Sequence, residues 1–146
     1  MLDKLFRNFQ KSTDNASGDK DDAVAQAVAA LLVEAARADE DYTDTERVLI
    51  DRILKGQFTL SDEDAANLRA KAEEAQAEAN DLYGFSRVVK DGLDRDGKMQ
   101  LIEDMWRIVL SDEARDPHEE MVIRRLVGLI HLEDRDSTEA RRRAEG

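Results

Sequence analysis

Apolar residues recur three and four positions apart along most of this chain, the spacing of helices with one buried face. Val24, Ala27, Val28, Leu31 and Ala35 predict a helix over 22–37. Val48, Leu49 and Ile53, all inward, predict a second over 44–54. The stretch "GQFTLSDED" breaks the pattern. Ser61, followed by acids that suit a helix N-terminus, reads as the N-cap of an Ala-rich helix running to about 79. Leu68 is the one large apolar residue there, so this helix should pack closely but at the periphery. Leu82, Tyr83, Phe85, Val88 and Val89 predict a core helix over 80–89. "DGLDRDG" reads as a loop, with Asp96 as N-cap. Ile102, Met105, Trp106 and Val109 mark a strong core helix over 99–110, and Met121, Val122, Leu126, Val127 and Ile130 another over 117–131. Ser137 or Thr138 should cap a short last helix. No stretch alternates with a period of two. The class is all-α: a closed bundle of six or seven helices.

The first residues add a separate feature. Leu2, Leu5, Phe6 and Phe9 share one face of a short helix, which could dock on the domain, on a partner or peripherally on a membrane surface. Residues 11–20, "KSTDNASGDK", read as a flexible linker. The expected organisation is a short amphipathic segment with its linker over 1–20 and a helical domain over 21–146. No run is apolar for long enough to cross a membrane, and no cleavage site follows the start. The expected location is the cytoplasm, including the inner face of the membrane.

One unit occurs twice. A shift of 73 positions lays residues 39–54 on 112–127, with Asp39/Asp112, Glu40/Glu113, Glu46/Glu119, Ile50/Ile123 and Arg52/Arg125 identical. Val48 pairs with Met121 and Ile53 with Leu126. Each unit is helix, acidic turn, helix. Two units are too few for an open solenoid, so a closed bundle with pseudo-twofold character is expected. Thr43 and Asp116 are placed as N-caps, and Glu46 and Glu119 would complete capping boxes. Pro117 stands at the first helical position, where its missing N–H is not needed.

Capping leaves Asp39 and Asp112 unexplained. Each follows the C-terminal end of a helix, where free carbonyls already concentrate negative potential. Glu40, Asp41 and Glu113 add like charge. Compensation could come from Arg37, Arg47, Arg115 or Arg124, from the next helix's amides, or from a cation. Carboxylates and turn carbonyls are hard oxygen ligands, suited to Ca²⁺, Mg²⁺ or Mn²⁺. Asp39 with Glu46, and Asp112 with Glu119, could converge across the folded corner.

Charge and composition narrow the partners. The 146 residues carry a net charge of -12, which disfavours nucleic acid and favours cations or basic protein surfaces. There is no Cys, so thiolate sites and disulfides are excluded and a reducing compartment fits.

"ARAD", an acidic turn and "TDTERVLIDRIL", followed later by "SDEARDPHEEMVIRRLVGLI", together resemble the TerB-like tellurite-resistance family. That family includes the N-terminal domain of a membrane-anchored DnaJ-type co-chaperone. "DLYGFSRVV" and "LIEDMWRIVLSD" are also similar to its small bacterial members, so the resemblance spans about 22–132. It implies an all-helical domain, a role in tellurite or other stress responses, and metal-binding acids that map onto Asp39, Glu46, Asp112 and Glu119. Where the family often places Gly after the Asp, this chain has Glu40 and Glu113, which tolerate a left-handed turn poorly.

Other constellations carry less. "DRDGKMQLIED" approaches a calcium loop through Asp94, Asp96 and Glu103, but Gly92 stands at the first ligand position. His118 and His131 form no Glu-x-x-His motif, so a di-iron bundle is disfavoured, and His118 reads as a surface residue. No phosphate-cradling loop, activated nucleophile or histidine–carboxylate pair emerges, and an enzyme is not expected. The leading expectation is a non-enzymatic accessory protein that binds a divalent cation and docks a protein partner. The alternative is an interaction module with an acidic surface and purely structural turns.

Overall fold

The computed structural model describes residues 16–38, 42–111 and 117–146, with side chains described from Asp22 in the first stretch and from Glu120 in the last. Among the described residues there are seven helices and no strand. They are α1 (Ala16–Arg37), α2 (Asp44–Phe58), α3 (Asp62–Glu78), α4 (Tyr83–Gly92), α5 (Arg95–Leu110), α6 (Pro117–Leu129) and α7 (Asp134–Glu145).

α1 is the central element. From Val24 to Ala36 every residue except Gln26 and Glu34 is buried, many of them alanines that let neighbours approach closely. A helix apolar nearly all round must be enclosed, and α2, α3, α4, α5 and α6 all pack on it. α5 is the second such element, and α7 lies along it. The repeat is visible in the packing. The leading helices of the two units, α1 and α5, touch each other, and each also touches the other unit's trailing helix: α1 meets α6 and α5 meets α2. That reciprocity is the mark of a pseudo-twofold arrangement and closes the bundle as expected.

The trailing helices also end alike. Thr59 (φ 53) and His131 (φ 65) are left-handed. Leu60 N–H then bonds Lys55 C=O, and Leu132 N–H bonds Val127 C=O, at 3.1 and 2.9 Å. These are the six-to-one bonds of a Schellman stop, made here without glycine.

Several expected boundaries and faces move. α1 starts at Ala16, not Asp22, taking in residues 16–20 of the expected linker. Once a helix is nucleated each further residue adds a bond at little cost, so it can run back through polar residues that carry no periodicity. α2 continues past Leu54 to Phe58. Its buried stripe is Glu46, Ile50, Ile53 and Leu54. Val48, expected inward, lies about 200° round from Glu46 and is 57% exposed. Its counterpart Met121 is also exposed, as is Tyr83. The "DGLDRDG" loop shrinks to Leu93 and Asp94. Asp94, not Asp96, is the N-cap, accepting from Gly97 N–H at 2.8 Å. α7 begins well before Ser137: Asp136 accepts from Glu133 N–H at 2.8 Å. Ser61 caps α3 as expected, and only Ala65, Leu68 and Ala72 of that helix are buried.

Candidate functional site

The first acidic turn leads into α2 through Tyr42 and Thr43. Thr43 is extended and its hydroxyl accepts from Glu46 N–H at 3.1 Å. Glu46 Oε1 accepts from Thr43 N–H at 2.9 Å and from its hydroxyl at 3.1 Å. The capping box is therefore complete, as the sequence implies. Glu46 is only 1% exposed, so this carboxylate at the mouth of α2 is held firmly and away from bulk water.

Beside the cap, a charged network ties the turn to α3. Tyr42 lies between two guanidinium groups, with Arg37 Cζ 5.1 Å and Arg47 Cζ 4.4 Å from its ring centroid. Such contacts favour a cation on a partly desolvated ring. Arg37 donates to Glu73 C=O at 3.0 Å and to Gln76 Oε1 at 2.6 Å, and Gln76 donates to Glu34 at 2.5 Å. Tyr42 hydroxyl donates to Glu73 Oε2 at 2.5 Å. Arg69 joins Glu73 to Asp51 at 3.1 and 2.6 Å, and Arg47 pairs with Asp44 at 2.6 Å. Burial, aided by the bond to Glu73, pushes the Tyr42 phenol well above its ordinary value. It stays a neutral donor at any physiological pH.

Of the four residues mapped as metal ligands, Glu46 is placed by the structure. Asp39 and Asp112 lie outside the described residues, as does the Glu119 side chain. Among the described residues, no cluster of three or more His, Asp or Glu side chains is poised to hold a metal. The chemistry of the one described donor, a buried carboxylate with its backbone fixed, fits a hard cation. The N-cap expected at Asp116 and the amphipathic segment over residues 2–9 also lie outside the described residues.

Three polar constellations escaped the sequence reading. The first is the Tyr42–Glu73–Arg69 network, whose members are far apart in the chain. The second is a pair of buried carboxylates, Glu103 and Asp104, on α5. A signal existed: two adjacent acids stand between the apolar pairs Leu101–Ile102 and Met105–Trp106 of "LIEDMWRIVL". The third is a cleft of 390 Å³ between α5, α6 and α7, lined by Trp106, Glu120, Arg124, Ser137 and Arg141 among others. Trp106 Nε1 donates to Ser137 Oγ at 3.1 Å, and Arg141 Cζ sits 4.8 Å from the indole.

The described architecture is that of a small all-α domain folded around a duplicated helix–turn–helix. The family description "Tellurite resistance protein TerB" matches residues 25–142, from α1 into α7. The chain belongs to that family. No curated protein and no solved structure matches it. No helix of the described residues is long and apolar enough to cross a membrane.

Proposed function

We propose that this chain is a non-enzymatic accessory protein of the tellurite-resistance type, cytoplasmic, acting in a stress response. It binds divalent cations through Asp39, Glu46, Asp112 and Glu119 and docks a protein partner. The observation that carries this reading is Glu46, a buried carboxylate locked by its cap beside the first acidic turn of a TerB-family domain. Ca²⁺, Mg²⁺ and Mn²⁺ suit such oxygen donors.

The test is a titration of Ca²⁺, Mg²⁺, Mn²⁺ and Zn²⁺ followed by melting temperature, because a ligand of the native state must raise it. Wild type should shift with at least one of the oxygen-preferring ions, and Asp39→Asn and Asp112→Asn should lose most of that shift. No shift in wild type, or full binding by both variants, would end the cation reading.

A second reading has its own support. Arg37 and Arg47 bring positive charge to the Tyr42 ring beside the turn. Val48 and Met121, equivalent in the repeat, are both exposed. On this reading the turns are structural and the domain is an interaction module whose acidic surface engages basic proteins. Partner capture that persists in a chelator would favour it.

A further inference from the structure

The repeat runs one helix further than its matched positions. The shift of 73 lays Asp62, the start of α3, on Arg135, the second residue of α7. α3 packs on α1 as α7 packs on α5. The two are equivalent third helices, so the seam between α2 and α3 has its counterpart between α6 and α7.

In the first unit the seam is bridged by charge. Arg69 of α3 pairs with Asp51 of α2 at 2.6 Å, and Lys55 of α2 pairs with Asp62 of α3 at 2.7 Å. The second unit keeps neither tie. Under the shift Asp51 becomes Arg124 and Arg69 becomes Arg142, while Lys55 becomes Gly128 and Asp62 becomes Arg135. Arg142 turns to Glu139 and Arg135 to Glu133, both at 2.6 Å and both local to α7. Arg124 is exposed and has no hydrogen bond or ion pair among the described residues. α7 rests mainly on α5, and the 390 Å³ cleft opens along its seam with α6.

The cleft is furnished with free donors. Arg124 lines it from α6 and Arg141 from α7. Arg141 is held in place by the indole at 4.8 Å and by Glu145, which takes its Nε–H at 2.9 Å. Its terminal N–H groups have no acceptor among the described residues. An indole N–H can only donate, so Ser137 Oγ accepts from Trp106 and keeps its own hydrogen. Thr138 has already given its hydrogen to Asp134 C=O, at 3.1 Å. Glu120 and Asp134 complete the lining and would repel a ligand with several negative charges. The volume falls within the usual range of small-ligand sites, about 300–1,000 Å³.

We propose that this cleft binds a carboxylate of single negative charge. Entering between α6 and α7, it supplies the acid that Asp51 supplies in the first unit and bridges the seam that Arg124 leaves open. The guanidinium groups of Arg124 and Arg141 and the Ser137 hydroxyl donate to its oxygens, the geometry that forked guanidinium donors favour. Such a group is carried by a small organic monoacid or by an acidic side chain of a peptide. The inference does not rest on the cation reading.

The experiment uses the full chain in metal-stripped buffer. Proton–nitrogen NMR follows the Trp106 indole N–H, the Ser137 amide and the Nε–H groups of Arg124 and Arg141. Four probes are titrated: benzoate, its uncharged match benzamide, inorganic phosphate, and a capped tripeptide with one central glutamate. Benzoate or the tripeptide should shift these signals saturably and raise the melting temperature. A response to benzoate identifies a free acid as the source, and a response to the tripeptide alone identifies an acidic side chain; either supports the site. Arg124→Ala should weaken binding at least about tenfold, the loss of one charged hydrogen bond, and Arg124→Asp should abolish it. No saturable response to benzoate or the tripeptide would overturn the proposal. So would benzamide acting as benzoate does, phosphate binding more tightly than either acid, or unchanged affinity in Arg124→Ala. The wild-type titrations need no variant, so a misfolded mutant does not shield the proposal.

Discussion

Gly92 closes α4 against α1, and its missing side chain has a definable purpose. A Cβ there would meet Val24 Cγ2 at 2.4 Å. Valine is stiff at χ1 and cannot swing aside. Gly92→Ala should therefore destabilise the fold by about 1–3 kcal/mol, the usual range for overpacking. Trimming the obstacle with Val24→Ala should make the double variant lose much less than the sum of the two single losses, as read from urea midpoints. The sequence reading placed Gly92 in a loop because Gly, Asp and Gly cluster there; the space between two helices is not encoded in one dimension. Val48 fails for a related reason. Apolar identity said inward, but the buried stripe of α2 passes through Glu46, and a buried cap outranks hydrophobicity in setting the helix's rotation.

At the scale of elements, two helix starts were legible from local chemistry, while the caps of α5 and α7 fell two to four residues before the expected ones. Ser61 and the Thr43–Glu46 box are local chemistry, written within four residues, and both stand where the sequence puts them. The ends are different. Gly56 reads as a breaker, yet α2 runs through it and stops at Thr59, whose backbone is left-handed. Nothing about threonine announces that conformation, which costs an ordinary residue about 1–2 kcal/mol. It is imposed by Leu60, buried at the stop, and by the bond back to Lys55. His131 and the buried Leu132 repeat the device at the end of α6. Thr59→Gly should stabilise by roughly 1 kcal/mol, relief of strain exceeding the added freedom of the unfolded chain. His131→Gly should act in the same direction. Equilibrium unfolding in urea measures both, and a loss of stability in either would show that side-chain contacts outweigh backbone strain.

For the molecule as a whole, two buried aspartates on neighbouring helices set opposite limits on pH. Asp136 is held below its ordinary value by the Glu133 N–H and by Arg95. Its contribution is present above the unfolded value near 3.8 and fades as pH falls through the lowered folded value. Asp104, lifted by burial, works the other way, withdrawing stability as pH rises through about 6. From these two groups, thermal stability should therefore peak in acidic solution near about 4 and decline from there through about 6 towards neutrality. A melting series across pH, repeated with Asp136→Asn to remove the acid limb, checks both slopes. The duplicated unit that organises this molecule was readable from five matched positions and a shared acidic turn. The cross-unit contacts that make it a closed bundle, and the Gln57–Asp104 bond across them, join residues 47 apart in sequence, where no periodicity reaches. Of the candidate site, Glu46 could be read from its capping role; its burial and the guanidinium groups around Tyr42 depend on how α3 is packed.

Trp106 is the chain's sole tryptophan, clasped between a serine hydroxyl and an arginine that both belong to α7. The protein thus carries its own optical gauge for the seating of its final helix. Peeling α7 away would strip the indole of both neighbours and expose it to water, so emission would redden before the far-ultraviolet dichroism of the remaining helices collapsed.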